Sequence, residues 1–190
     1  DGYYNDDDYF TSEDIEKYII KYASTLNFED KLIFLKNLTD LLDNQSYDTF
    51  HDIIQSFNEV FNENEIPLLK ENVFENFEKL SISLQKKYFE IINSKLSVNE
   101  KEFILKILSK DSDEHVIELA EMLKNENRIS DAIKILKKYI SKTGDEFIDE
   151  KIFMLFLDLM QSQGNDISKP SQEAITRCST NTMLLKIVQL

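Results

Sequence analysis

The stretch VIELAEMLKNENRISDAIKILKKYI, residues 116–140, decides the fold. Its apolar residues recur every three to four positions, pause over the polar segment KNENRIS, and then resume with the same spacing. This spacing is typical of amphipathic helices, and the polar interruption has the length of a tight turn. The stretch therefore predicts two short helices that fold back on each other as an antiparallel hairpin.

The composition extends this prediction to the whole chain. The 190 residues are 42% hydrophobic but include only three Gly and two Pro. Strand-rich folds need turn residues at short intervals, so this scarcity predicts an all-α protein. Capping signals and apolar periodicity together predict helices over about residues 12–25, 27–42, 46–62, 66–79, 81–93, 97–109, 111–125, 129–142 and 145–163, with two more from near 170 and 180.

The helix start signals recur at short, similar intervals, which gives about 30–36 residues per helical pair. Helical repeat proteins have this period. We therefore predict an array of antiparallel helical hairpins, an α-solenoid of the tetratricopeptide or HEAT type. A compact helical bundle is the alternative, although bundles usually contain fewer and longer helices.

One segment, residues 113–146, resembles a tetratricopeptide repeat. That family places a Leu followed by a small residue on its first helix, and a large residue three positions after the small one. An Ala follows on its second helix, twelve residues after the same small residue. The matching residues here are Leu119, Ala120, Leu123 and Ala132. Tyr139 departs from the pattern, because a small residue is usual there. The resemblance implies stacked helical hairpins and a role in binding other proteins, and it implies no ligand-contacting residues.

The charge is strongly negative and unevenly distributed. The formal net charge is −14, and residues 1–14 contain six acidic and no basic side chains. Such a surface repels phosphate backbones, so nucleic-acid binding is disfavoured and proteins with basic surfaces are the expected partners. We interpret residues 1–11 as an acidic, aromatic and flexible arm, in which Tyr3 and Tyr4 are candidate partner contacts. Residues 12–190 are predicted to form one helical-repeat domain, excised from a longer protein.

The reactive side chains are too few for catalysis or metal binding. His51 and His115 are the only histidines, and they lie far apart in the sequence, whereas zinc needs several closely spaced His or Cys ligands. Cys178 follows a basic residue that would lower its pKa, but no motif supplies a partner base. We therefore expect no enzyme activity, metal or cofactor. A single cysteine favours a reducing compartment, so an intracellular location, in the cytoplasm or nucleus, is expected.

Two helices have features that suggest partner contacts. Lys134, Lys137, Lys138 and Lys142 form a basic stripe on the helix over 129–142; from it we select Lys134 and Lys138 as candidate contacts, while a solvated face is the alternative. The helix over 145–163 is apolar around nearly its whole circumference, which predicts a central, enclosed helix. If it lines a groove instead, Phe153 and Phe156 are the candidate anchors.

From these features we expect a non-enzymatic scaffold that binds other proteins. The alternatives are an all-α enzyme or ligand-binding bundle with a closed pocket, and a nucleic-acid adaptor. The adaptor requires Lys86, Lys87 and Lys95 to join the basic stripe in one surface patch. The most apolar run, residues 152–157, is too short to span a membrane.

Overall fold

A computed structural model describes residues 12–43, 59–143 and 148–178, so Tyr3, Tyr4 and His51 lie outside the described residues. The described ranges contain nine α-helices and no strand, which confirms the all-α prediction. The helices are α1 (Ser12–Ser24), α2 (Phe28–Asp43), α3 (Glu65–Phe74), α4 (Ile82–Ile92), α5 (Val98–Leu108), α6 (Asp113–Asn125), α7 (Ile129–Lys142), α8 (Glu150–Ser162) and α9 (Ser168–Arg177). The helices predicted over 46–62 and from near 180 fall mostly outside these ranges.

The contacts of the chain concentrate in two compact units, residues 1–97 and residues 98–190. The first unit contains α1 to α4 and the second contains α5 to α9. The division into two units does not test the predicted arm, residues 1–11, or the predicted single domain, residues 12–190. Both remain predictions.

Polar residues at the predicted start positions cap several helices. Asn27 Oδ1 accepts a hydrogen bond from the backbone N–H of Asp30 at 2.9 Å, and its Nδ2 donates to the Asp30 carboxylate at 2.7 Å. The Ser81 hydroxyl accepts from the N–H of Leu84 at the start of α4. Such bonds satisfy N–H groups that have no partner inside the helix, which is why these positions start helices.

Three predicted helix ends are shifted in the structure. Asp111 does not cap α6, because Ser112 occupies the N-cap position and the Asp111 carboxylate pairs with Lys142 at 3.0 Å. The helix predicted over 66–79 already ends at Phe74, and the chain continues into a short 3₁₀ turn, Phe77–Lys79. The helix predicted from residue 145 begins at Glu150, because Asp149 caps it by accepting a hydrogen bond from the N–H of Lys151 at 2.8 Å.

The first unit has its own apolar core and one nearly buried ion pair. Helix α2 packs against α1 and α4, and α3 packs against α4. The largest fully buried apolar side chains here are Leu35, Leu69, Phe77 and Ile92. Lys31 of α2 donates to both carboxylate oxygens of Glu65, the first residue of α3, at 2.8 and 2.9 Å. With side-chain exposures of 4% and 16%, this pair ties the two helices together in low-dielectric surroundings.

The hairpin predicted at residues 116–140 is present in the second unit as α6 and α7. Its turn is a Schellman motif: the N–H of Asn127 bonds the carbonyl of Lys124, and the N–H of Arg128 bonds the carbonyl of Leu123. Asn127 has a φ of +61°, a conformation that Asn tolerates better than most residues. The same motif ends α8, where Gly164 has a φ of +68°.

Helices in the second unit pack on their neighbours in sequence, and α8 also packs on α6. All four residues that carry the tetratricopeptide resemblance are 0% exposed: Leu119, Ala120, Leu123 and Ala132. The two alanines leave room for close approach of the α6 and α7 backbones. Helix α8 is enclosed as predicted, since Ile152, Phe153, Phe156, Leu157 and Leu159 are buried and most of its other side chains are half-buried.

Candidate functional site

One concave feature of the second unit is a groove along α7. Its volume is about 380 Å³, within the range of small ligand pockets. Helix α6 contributes the floor, α7 contributes one wall, and the end of α5 contributes the other. The lining residues are Lys106, Ser109, Lys110, Val116, Leu119, Ile135, Lys138, Tyr139 and Lys142. A smaller polar depression, which also includes Asp111 and Thr143, continues the groove at one end.

Four lysines surround the groove. Lys106 pairs with Glu102 at 2.6 Å, and Lys142 pairs with Asp111 at 3.0 Å. Lys110 and Lys138 are exposed, and neither has a carboxylate partner within the described ranges. The groove therefore has one uncompensated positive charge on the α5 side and one on the α7 side, in a chain that is acidic as a whole.

The floor of the groove is apolar. Val116 and Leu119 are fully buried beneath it, and Ile135 and the ring of Tyr139 are half-buried along its wall. An apolar floor with charged groups only at its edge favours a ligand that buries a hydrophobic group and presents its charge at the rim.

Polar contacts at both ends of α7 hold the wall of the groove in place. Near its C-terminal end, the Tyr139 hydroxyl donates to the Asp113 carboxylate, and Lys142 Nζ donates to the carbonyl of Lys110 at 2.6 Å. Arg177 donates to the carbonyl of Ile140 at 3.0 Å. Cationic donors satisfy carbonyls that have no partner at a helix end, so these bonds fix the position of the last turn.

At the other end of α7, Arg128 forms a bidentate ion pair with Glu102 of α5, with distances of 2.6 and 3.0 Å. Glu102 is buried and also accepts from Lys106. Hydrogen bonds from Arg128 and then Lys106 lower the pKa of Glu102 from its ordinary value to about 2, although burial opposes the shift. Glu102 is therefore ionised at neutral pH and anchors the start of α7 to α5.

The six predicted contact residues fall in different environments. Lys134 and Lys138 are exposed on α7, but only Lys138 lines the groove, because Lys134 lies outside it and pairs with Asp131 at 3.4 Å. Phe153 and Phe156 are 0% and 6% exposed, so both belong to the core of the second unit and neither is a surface anchor in this structure. Tyr3 and Tyr4 lie outside the described residues.

Neither described candidate for catalytic chemistry lines the groove. His115 is buried, and its Nδ1 lies 2.7 Å from the Ser112 hydroxyl. Burial raises the pKa of the Cys178 thiol, and the Glu150 carboxylate adds to this rise more than Arg177 opposes it. Arg177 does lower this pKa, as expected, but burial and the nearby carboxylates outweigh its effect. In the described ranges no three His, Cys, Asp or Glu side chains are grouped in a way that could hold a metal ion.

Two residues of the groove were missed by the sequence analysis. Lys106 lies on α5, whereas Lys110 lies in the turn after its last residue, Leu108, so helical spacing does not place the two lysines on one face. Only packing shows that lysines from a second element line the same groove.

Among the described helices, none combines the length and the apolar composition that crossing a lipid bilayer requires. The chain matches no protein-family model, no curated protein and no solved structure. The tetratricopeptide resemblance consequently rests on the residues of α6 and α7 and on their packing.

Proposed function

We propose that this chain is a non-enzymatic protein-binding module that acts as an interaction scaffold. The observation that carries the proposal is the groove along α7, which combines an apolar floor with a charged rim. Interfaces between proteins have this arrangement, in which a small buried apolar centre supplies affinity and surrounding polar groups supply specificity. The ion pairs and hydrogen bonds at both ends of α7 hold the groove in a preformed shape, which reduces the entropy cost of binding.

We further propose that the helices stack as an α-solenoid rather than as a compact bundle. The packing of α8 on both α6 and α7 supports this arrangement, since a third helix that contacts both members of the preceding hairpin is expected in an array of hairpins. The buried alanines Ala120 and Ala132 support it as well. Together with the single thiol, Cys178, such a module suits an intracellular protein of the cytoplasm or nucleus.

The alternatives have less support from the described residues. Among the described residues that line the groove there is no His, Cys or carboxylate side chain. The remaining candidates for acid, base or nucleophile are its lysines and the hydroxyls of Ser109 and Tyr139, of which Tyr139 already donates to Asp113. For the nucleic-acid adaptor, Lys87 is 2% exposed and pairs with Glu90 at 2.8 Å. Lys87 therefore cannot join a basic surface patch.

Quantitative affinity capture with the folded full chain tests the proposal. An acidic helical protein of similar size and charge serves as the control, because it captures whatever binds by charge alone. We expect a small set of proteins that the chain enriches over this control. If no protein is enriched, while a small-molecule fraction of the same extract raises the melting temperature of the chain, the protein-binding function is wrong and the ligand-binding bundle is favoured.

A further inference from the structure

The lysines around the groove indicate which kind of protein segment it binds. We infer that the groove along α7 is a docking site for an acidic peptide segment that carries an aromatic or large aliphatic anchor, supplied by a partner protein. This inference rests on the proposed protein-binding function and adds the chemistry of the ligand. It differs from the expectation that partners are basic, which followed from the net charge of the whole chain.

Charge complementarity is the first support. Lys110 and Lys138 come from two different elements and have no carboxylate partner within the described residues, so a ligand with carboxylates at both edges would pair with one lysine on each side. Lys106 and Lys142 already pair with Glu102 and Asp111. Those two pairs neutralise part of the positive charge at the rim, so the uncompensated charge lies at Lys110 and Lys138.

The apolar side chains along the wall of the groove are the second support. A ligand held by charge alone would leave Ile135 and the ring of Tyr139 in contact with water, whereas an aromatic or aliphatic side chain would cover them. Burial of apolar surface is favourable in proportion to the area removed from water, so one inserted side chain adds affinity that exposed ion pairs do not supply. In an acidic segment with one such anchor, the carboxylates would pair with the lysines at the rim and the anchor would cover the apolar side chains inside the groove.

These features favour an acidic peptide over nucleic acid. The lining contains no Arg, and its single aromatic residue, Tyr139, already uses its hydroxyl to bind Asp113. Nucleic-acid surfaces commonly combine phosphate-binding cations with aromatic rings that stack on bases. The acidic remainder of the chain, with a net charge of −14, would also repel a phosphate backbone that extends beyond the groove.

The test measures binding of a fluorescein-labelled peptide in which Asp and Glu residues flank one Phe and one Leu. Fluorescence anisotropy is recorded with the full chain and with two double variants. The groove variant is Lys110→Glu with Lys138→Glu, and the control is Lys134→Glu with Lys137→Glu, which reverses the same number of charges on exposed lysines that do not line the groove. Circular dichroism and thermal melting establish that both variants fold.

We expect saturable binding by the wild-type chain, weakened about tenfold or more by the groove variant and less than about threefold by the control. A peptide with Asn and Gln in place of its acids, and one with Ser in place of Phe and Leu, should each bind about tenfold more weakly. The inference is overturned if the wild-type chain does not bind the peptide, or if both double variants weaken binding equally. Equal binding of single-stranded DNA with the same lysine dependence would also overturn it.

The two proposals fail in different ways. If affinity capture enriches partner proteins and the groove variant captures the same set, the groove is not the docking site and only this inference is wrong. If no partner is enriched at all, the protein-binding function itself is wrong.

Discussion

Helices α7 and α8 are neighbours of nearly equal length, but they are held in different ways. Helix α7 buries a narrow stripe, Ala132, Leu136 and Ile140, and is fastened at its ends by ion pairs and hydrogen bonds. Helix α8 is enclosed by apolar contacts over most of its circumference. Apolar contacts depend little on pH and salt, whereas the polar contacts of α7 depend on the ionisation of particular side chains.

Within the second unit, α8 therefore contributes mainly to stability, whereas α7 provides the surface for which binding is proposed. Helix α8 has few exposed side chains to present to a partner and serves as the centre of the core. Helix α7 keeps its lysines in solvent because only one stripe of it is buried. A partly buried helix whose ends are fixed can form the wall of a preformed groove, and a wholly enclosed helix cannot.

The largest expected effect is at the centre of α8. We expect Phe153→Ala to lower the free energy of unfolding by about 3–5 kcal/mol, because it removes a fully buried ring and leaves a cavity. Urea unfolding followed by circular dichroism measures the change, and the loss should be the same at pH 7 and pH 5. Lys151→Ala, on an exposed position of the same helix, should change stability by less than about 0.5 kcal/mol. Equal effects of the two substitutions would mean that α8 is not central.

The next largest effect is at the start of α7. We expect Glu102→Gln to lower the free energy of unfolding by about 1.5–3 kcal/mol at neutral pH, because it removes charge-assisted hydrogen bonds to Arg128 and Lys106. The folded-state pKa of Glu102 is depressed to about 2 from an ordinary value of 4.5. Its stabilising contribution is therefore complete above about pH 4.5 and is lost as the pH falls toward 2.

Urea unfolding of Glu102→Gln and of the wild-type chain between pH 7 and pH 2 tests whether the stabilising contribution of Glu102 is lost as the pH falls. The difference between them should shrink as the pH falls. Glu118→Gln is a matched control, since Glu118 of α6 also pairs with a basic residue outside its own helix, Lys101 of α5 at 2.7 Å, but is one-third exposed. A constant difference for Glu102→Gln over the whole pH range would contradict the role assigned to its charge.

A smaller effect is expected near the C-terminal end of α7. Tyr139→Phe removes the hydrogen bond to Asp113 and keeps the ring that lines the groove, so we expect a loss of about 0.5–1.5 kcal/mol in the free energy of unfolding. Thermal unfolding measures it. Tyr22→Phe, on a side chain that is 58% exposed, is the control and should be nearly neutral. A neutral Tyr139→Phe would mean that the hydroxyl does not help to hold α7.

The smallest effect is on the solvated face of α7. Lys134 is 77% exposed and its pair with Asp131 is long, so we expect Lys134→Ala to change the free energy of unfolding by less than about 0.5 kcal/mol. Thermal unfolding measures the change. A loss above 1 kcal/mol would show that the exposed face of α7 contributes to stability, and the contrast between α7 and α8 would then be wrong.

Local sequence signals predicted much of the fold. The apolar period of residues 116–140 predicted α6 and α7, and Asn27 and Ser81 marked helix starts, because periodicity and capping act within a few residues. The enclosure of α8 was also predictable, since a helix that is apolar all round has no face suited to water. The predicted start of α6 at Asp111 was wrong by a residue or two, since Ser112 occupies its N-cap position and Asp111 pairs with Lys142.

The sequence by itself determined the all-α class, most helix positions and the acidic balance of the chain, because these depend on side-chain chemistry and on spacing along one helix. That Lys110 and Lys138 line the same groove follows only from the tertiary structure. The physical reason is that such a site depends on which faces of separate helices meet, and that choice is made by packing between elements rather than by the pattern within any one of them.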